Sequence, residues 1–596
     1  GRVSIGVVPP LDTAADADDY VAQHMTRLGA DFVVVPVVAP SVDRQKIAER
    51  RYFASEELVV RSATNAYCIV GSIEYVHWAG DSDGSEERLA AMTMEYAEYV
   101  GLRGVVGPIL NAGDAQGDMG YGRMLLEHLP LAIARVQIGN GKADAWSRWN
   151  RVRQACNHDA RLQLLLEIDA SPEDAVDTSQ WRAEPVQIVQ IPTTLFTTNK
   201  TGYPVLTRAH QSGMLQWMGL GVALAVSYTE PGSARVGDCI AYLRHLATQL
   251  ETQRDAGEAA SAEYYDVLQT PLQPLADHLS SETYEVFEQD AAKYDAYEDA
   301  MCRAIRDATG KRLVLTVAGA GRGPLVARAL QAAQRCNADV KVYAVEKNPS
   351  AMVELQRKNA ELWGGCVTLV HADMRRSAEV PERADILVSE LLGSLGDNEL
   401  SPECLAAAIP RLLAPGGVCI PRKYTAYVAP LSSSALFNRA RSAMHNEPSR
   451  LETPFVVNIH AANVLTDAQP LWSFEHSSSS DVSSEKCHQR TACKTFAICA
   501  PSLVHGLAGY FDTELYDGVG LSIRPDTHTP EMHSWFPMYF PLTAPLPVRA
   551  GDALAVHMCR RVADAKVWYE WVLCIDGANL SSAVHNLNGH QYWIDK

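Results

Sequence analysis

KRLVLTVAGAGRG, Lys311 to Gly323, runs directly into PLVARALQAAQRC, Pro324 to Cys336. The first apolar run reads as a strand buried on both faces, because branched apolar residues occupy consecutive positions. Gly319, Gly321 and Gly323 break it at alternate positions, and apolar residues then resume at helical spacing. The same unit recurs downstream. KVYAVEKN (Lys341 to Asn348) precedes the helical PSAMVELQRKNAELW, and CVTLVHADM (Cys366 to Met374) precedes ADILVSELLG (Ala384 to Gly393). This alternation predicts an α/β, Rossmann-like parallel sheet over residues 271–420. Pro415, Gly416 and Gly417 mark the turn expected at its end.

Upstream, residues 1–250 repeat a short apolar run followed by a longer segment of helical period. The runs are VSIGVV, DFVVVPVV, AYCIVGSI, RGVVGPIL, ARVQIG, LQLLLEI, VQIVQI and VALAVS. Eight runs alternating with helices predict an N-terminal (β/α)8 TIM-like barrel, with an open doubly wound sheet as the alternative. The runs end in apolar or mixed residues, so the barrel is expected to be catalytically silent. Residues 251–270 open with the polar ETQRDAGEAASAEYY and predict a linker or exposed helix. From 421 to 596, TAYVAP, PFVVNIH, KTFAICA, MYFPLTAPL, ALAVHM and KVWYEWVLCI predict a C-terminal β-barrel or sandwich domain. The serine-rich HSSSSDVSSEKC is expected to be a mobile loop.

At 596 residues the chain is too long for one core and fits about two to four domains. Its 47% hydrophobic and 21% charged residues are those of a globular protein. No apolar run approaches a membrane span, and the first residues lack a signal peptide's basic-then-apolar pattern. Thirteen cysteines without a CxxC pair predict reduced thiols in the cytoplasm and nucleus, with no metal site and no disulfide frame. A net charge of −19 argues against an extended nucleic-acid footprint and favours basic partners.

The glycine turn lets a ligand approach the backbone after the first strand. Glu346 ends the next strand, where an acid suits the two hydroxyls of a ribose. Asp373, beside Met374 after the third strand, is placed to accept from an adenine amino group. GxGxG in place of GxGxxG favours S-adenosylmethionine over NAD, since no pyrophosphate needs cradling. Val317 stands where many enzymes using that cofactor carry an acid, so the downstream contacts bear more of the reading. SELLGSLGDNE, Ser389 to Glu399, then sets Glu390 and Glu399 at the two ends of an apolar, glycine-bearing loop. Two acids facing one another across a hairpin make a fork that fits a guanidinium group. Glu399 has a second reading as an acid at the start of the helix SPECL.

TYEVFEQDAAKYDAY, GAGRGP, YAVEKNP, SELLGSLGDNELSPECL and MHSWFP together closely resemble the type II (symmetric) protein arginine N-methyltransferase family, over essentially the whole chain. The resemblance implies a barrel for partner docking and oligomerisation, a Rossmann-like S-adenosylmethionine-binding domain, and a β-barrel domain with dimerisation and substrate-binding elements. It implies a guanidinium clamp at Glu390 and Glu399. Cofactor contacts are implied at Tyr284, Lys293, Tyr294, Gly319, Gly321, Arg322, Glu346, Asp373 and Met374. Phe287 matches the residue that distinguishes the symmetric class, and Ser534 and Trp535 match a pair beside the substrate arginine. His533 departs from the family's apolar residue, and a proton relay is one use for it. Helical spacing also puts Tyr284, Phe287 and Tyr294 on one helix face, where a plain core stripe is the alternative.

The implied reaction makes monomethyl- and symmetric dimethylarginine. It needs no metal, because the sulfonium methyl is already activated. The implied partners are Arg-Gly-rich proteins such as histone tails and splicing proteins, further copies of the chain in a homodimer or larger assembly, and a WD-repeat adaptor. Neither nucleic acid nor membrane is expected. A monomethylating or asymmetric enzyme, an NAD-dependent oxidoreductase and a non-catalytic scaffold are the competing functions.

Overall fold

The computed structural model describes the chain except residues 1–2, 10–20, 22–24, 26, 51, 75–84, 111–114, 140–143, 175, 229–234, 254–261, 309–311, 377–379, 443–450, 478–487 and 578–579. The chain divides into two compact units, Gly1–Ala260 and Ser261–Lys596. Most of the serine-rich stretch and the middle of the expected linker lie outside the described residues.

The first unit is a closed barrel of parallel strands: Ile5–Val8, Phe32–Pro36, Ile69–Ser72, Gly104–Ile109, Ala132–Gly139, Gln163–Asp169, Val186–Pro192 and Ala223–Ser227. Each predicted run supplies one strand. Pairing of Ile5 with Leu224 closes the ring and rules out the open sheet. Phe32, Val34, Val70, Val106, Ile133, Leu165, Ile188 and Ala225 fill the interior. Two residues beyond Ile133, Arg135 is largely buried and bonds to Glu74 and Glu167 at 2.7 Å each.

In the second unit, Val367–His371, Val340–Glu346, Leu313–Ala318 and Ala384–Val388 lie side by side and parallel. The next strand, Leu413–Ser432, begins parallel to Ala384–Val388 and continues antiparallel to Ser502–Tyr516. One eleven-stranded sheet therefore carries both the Rossmann-like part and much of the β part. The turn expected at Pro415 to Gly417 is instead an irregularity within this strand. Ala384 faces Leu413 while Ile386 faces Val418, and Pro and Gly tolerate such a bulge. A second sheet joins Arg490–Ala497, Ala553–Val562 and Lys566–Ile575. PFVVNIH shrinks to the strand Phe455–Val456, and two long strands, Gln469–Ser477 and Ser502–Tyr516, lie outside the expected runs, as do the short Asn463–Val464, Val519–Ser522, Leu580–Ser581 and Ile594–Asp595.

Within the stretch expected to link the domains, the helix Val236–Gln253 occupies the first residues. Gln269 exchanges backbone hydrogen bonds of 2.9 and 2.8 Å with Val456, inside the second unit. The tyrosine stripe also lies on two helices, Ser281–Glu288 and Ala291–Asp307. Ser280 caps the first, and Asp290 interrupts the run and caps the second. Among the described residues, no helix is long and apolar enough to cross a membrane.

Candidate active site

The site lies outside the carboxyl ends of the parallel strands, where ligands of such sheets bind. One pocket there is lined by Tyr284, Phe287, Tyr294, Gly319, Gly321, Arg322, Glu346, Asp373, Met374, Glu390 and Glu399. These predicted residues come from four strand ends and two helices, and the sheet brings them together.

The glycines are required by backbone and by space. Gly319 and Gly321 have φ of 79° and 53°. A Cβ would meet the Met374 methyl at 3.2 Å in the first case and the Tyr284 ring at 3.0 Å in the second. Glu346 is buried and braces this turn. Its Oε2 accepts the Gly321 N–H at 2.7 Å and its Oε1 accepts the Asn348 N–H at 2.6 Å. Each oxygen keeps a further lone pair for a ligand hydroxyl. Asp373 is gripped by Arg375 through a fork with contacts of 2.7 and 3.1 Å. Burial opposes its charge, but that pairing holds its carboxyl below the usual range. Arg322 is also engaged, 3.2 Å from Glu288 and bonded to Ser281 at 2.9 Å.

The double-glutamate loop is a tight apolar hairpin. Gly396 donates to the Gly393 carbonyl at 2.7 Å, and Leu395 N–H donates to Asn398 Oδ1 at 2.8 Å. A Cβ on Gly393 would run into the Asn398 amide. Leu392, Leu395 and Leu400 are buried. The helix that follows is Ser401–Leu412, with Leu400 as its N-cap and Glu403 as its first-turn acid. Glu399 thus precedes the cap and faces the pocket. Burial first, and then the charge of Glu390, push its carboxyl well above the usual range, against the pull of Lys293.

Lys293, Ser534 and Trp535 lie off the lining of this pocket, but contacts tie them to it. The Lys293 ammonium is buried 3.8 Å from Glu390, and lies 5.4, 4.7 and 5.0 Å from the ring centres of Phe287, Tyr294 and Trp535. Trp535 donates its indole N–H to the Leu392 carbonyl at 2.7 Å and meets Phe511 edge-on at 5.2 Å. Ser534 and Trp535 line a neighbouring cavity with the exposed His533.

Two further residues shape the site without having been singled out in the sequence. Asp290 bonds to the backbone of Lys293, His533 and Ser534. Arg560 pairs with Asp397 and Glu403, on either side of Glu399 along the chain. Asp290 had a legible signal, a capping residue three positions before a helical Lys. Arg560 had none. Among the described residues, no group of His, Cys, Asp or Glu is arranged to hold a metal ion.

Comparison with known proteins gives these features a family. Residues 29–249 match the family model described as the PRMT5 TIM barrel domain, residues 255–420 the PRMT5 arginine-N-methyltransferase, and residues 423–594 the PRMT5 oligomerisation domain. The chain is 39% identical over 498 residues to protein arginine N-methyltransferase 5 of Xenopus laevis, covering 82% of this chain and 76% of that one. It is 34% identical over 635 residues to the protein of the same name from Oryza sativa subsp. indica, covering 96% and 95%. It is also 34% identical over 605 residues to protein arginine N-methyltransferase skb1 of Schizosaccharomyces pombe, covering 95% and 96%. Carrying a barrel, a methyltransferase domain and an oligomerisation domain in that order, the chain belongs to the PRMT5 family of protein arginine N-methyltransferases.

Proposed function

We propose that this enzyme transfers methyl groups from S-adenosylmethionine to protein arginine and forms symmetric dimethylarginine, with Glu390 and Glu399 clamping the guanidinium. The observation that carries the reading is that both glutamates line the pocket that also holds Glu346, Met374 and the glycine turn.

The cofactor fits these residues. Glu346 is a buried carboxylate with lone pairs to spare, and the glycine turn leaves space that any Cβ would fill. Tyr284 stands over Gly321, and Asp373 and Met374 flank the expected adenine side. When bound, S-adenosylmethionine supplies an activated methyl group on sulfur. The chain's own residues do the rest. Arginine is a poor nucleophile because its lone pairs are delocalised and it is protonated at any working pH. Carboxylates bonded to two of its nitrogens draw positive charge away from the third and hold that nitrogen in line. The methylated nitrogen carries one proton too many. Glu399 is the acceptor: a bound guanidinium beside it favours its ionised form, and burial and the charge of Glu390 make that carboxylate the more basic.

The surroundings suit a cation. Phe287 and Trp535 present ring faces to the Lys293 ammonium beside Glu390, and a guanidinium gains from the same rings. The Phe287 ring, beside the acids, selects which nitrogen takes the second methyl. The net charge of −19 favours basic, Arg-Gly-rich tails such as those of histones and splicing proteins. The oligomerisation domain supports a homodimer or larger assembly, and the barrel offers a surface for a WD-repeat adaptor. Cysteines free of disulfides among the described residues favour the cytoplasm and nucleus.

Mass analysis of an Arg-Gly peptide incubated with the enzyme and S-adenosylmethionine tests the reading. Symmetric dimethylarginine, lost in Glu390→Gln, supports it. Monomethyl or asymmetric product overturns the symmetric assignment. No transfer by the intact protein favours a scaffold.

A further inference from the structure

We infer that Asp290 is a positioning residue for methyl transfer: its one carboxylate caps the helix that carries Lys293 and Tyr294 and latches the loop that carries Ser534 and Trp535. The inference rests on the clamp proposed above.

Asp290 is 3% exposed. Its Oδ1 accepts the Lys293 N–H at 3.1 Å. Its Oδ2 accepts the N–H groups of His533 at 2.9 Å and Ser534 at 2.7 Å, across sequence separations of 243 and 244 residues. Burial alone would disfavour its charge. The Ser534 side chain and the Lys293, Ser534 and His533 amides outweigh burial and keep the carboxyl below its ordinary range. These are charge-assisted bonds, about twice as strong as neutral ones.

The latched loop is in an unfavourable conformation. Glu531 and Trp535 have φ of 60° and 64°, which bulky residues adopt only when their surroundings hold them there. Asp290 grips the chain next to Trp535. Trp535 then spans to the Leu392 carbonyl at 2.7 Å, two residues from Glu390. On the other side, the helix capped by Asp290 delivers the Lys293 ammonium to within 3.8 Å of Glu390. Two routes from one carboxylate thus converge on Glu390, one of the two acids of the clamp. An N-cap alone requires only the first. The second sets the distance between the aromatic wall and the acids, and it is absent from local sequence.

Asp290→Ser separates the two roles in the full-length enzyme. Ser caps a helix about as well as Asp, but its short hydroxyl cannot reach the loop amides. The expected result is S-adenosylmethionine affinity within about twofold of wild type by calorimetry, while kcat/KM for an Arg-Gly peptide falls about 10- to 100-fold. Asp290→Asn keeps the length and one acceptor, and should recover part of the loss. Wild-type peptide kinetics in the Ser variant overturn the inference and leave the proposed function standing. A parallel loss of cofactor affinity and peptide turnover also overturns it, since the cap alone would then account for the effect. Where Ser does not fold, Asn decides: unchanged kcat/KM for the peptide overturns the inference. If the wild-type enzyme makes no methylarginine, the proposed function fails first.

Discussion

Arg560 and Asp397 form an ion pair with no exposed surface on either side chain, and it ties a strand of the C-terminal sheet to the loop between Glu390 and Glu399. The same guanidinium holds Glu403 through two contacts of 2.9 and 2.8 Å. Glu399 lies between Asp397 and Glu403 along the chain, so one side chain pins both its flanks. Burial opposes the charge on Arg560, and the two acids overcome it.

Replacing Arg560 with Met leaves two buried carboxylates without their cation. Stability should fall by about 3–5 kcal/mol, the usual cost of breaking a buried pair from one side. Urea unfolding measures it, and a loss below about 1 kcal/mol contradicts the anchor. Methyl transfer should fall in the same variant, because Glu399 loses its frame.

Glu399 predicts a pH-dependent conflict between stability and function. Its folded pKa is raised, so the native state keeps this proton while the unfolded chain releases it. Its contribution is therefore fully present below about pH 4.5, the unfolded value, and is lost as pH rises toward the folded pKa. Glu399→Gln removes that loss. At neutral pH the variant should melt at a higher temperature than wild type, with the difference vanishing in acid. Its methyl transfer should drop about 10²- to 10³-fold, the cost of removing one group that stabilises transition-state charge. Equal melting points at neutral and acid pH contradict the buried proton.

Phe287 stands beside the Lys293 ammonium and on the pocket wall shared with both glutamates. Phe287→Met exchanges a rigid ring for a flexible chain of similar bulk. The dimethylated product should shift from symmetric toward asymmetric arginine, as read by mass analysis of hydrolysed peptide. An unchanged ratio counts against a steric role for the ring.

Glu346 braces the Gly321 amide and faces the pocket. Glu346→Ala should weaken S-adenosylmethionine binding about 10- to 100-fold, since hydrogen bonds to a charged group contribute roughly 1.5–3 kcal/mol. Calorimetry checks this, with NAD as the ligand expected to give no signal.

The elements that were legible in the sequence share a physical cause. Barrel strands such as Phe32–Pro36 and Ile69–Ser72 are buried on both faces, so their runs are continuously apolar and stand out. Ser502–Tyr516 was hidden because Gly506 and Gly509 dilute its strand pattern. Those glycines answer to packing. A Cβ on Gly506 would overlap the Phe540 carbonyl, and one on Gly509 would lie 2.9 Å from Leu395 of the double-glutamate loop. The single tyrosine-bearing helix was misread for a related reason: helical spacing runs through Asp290 unchanged, and only the cap interrupts it.

The barrel, the Rossmann-like core, the glycine turn and the two acids are legible in the chain alone, since each is written in periodicity or spacing over a few dozen residues. What holds those two acids in place arises only from tertiary packing. The Asp290 bonds to His533 and Ser534, and the Arg560 grip on Asp397, join residues more than a hundred positions apart. Local pattern encodes which face of an element is buried. It does not encode which distant polar group will meet a buried carboxylate, and that pairing exists only once the sheets have packed.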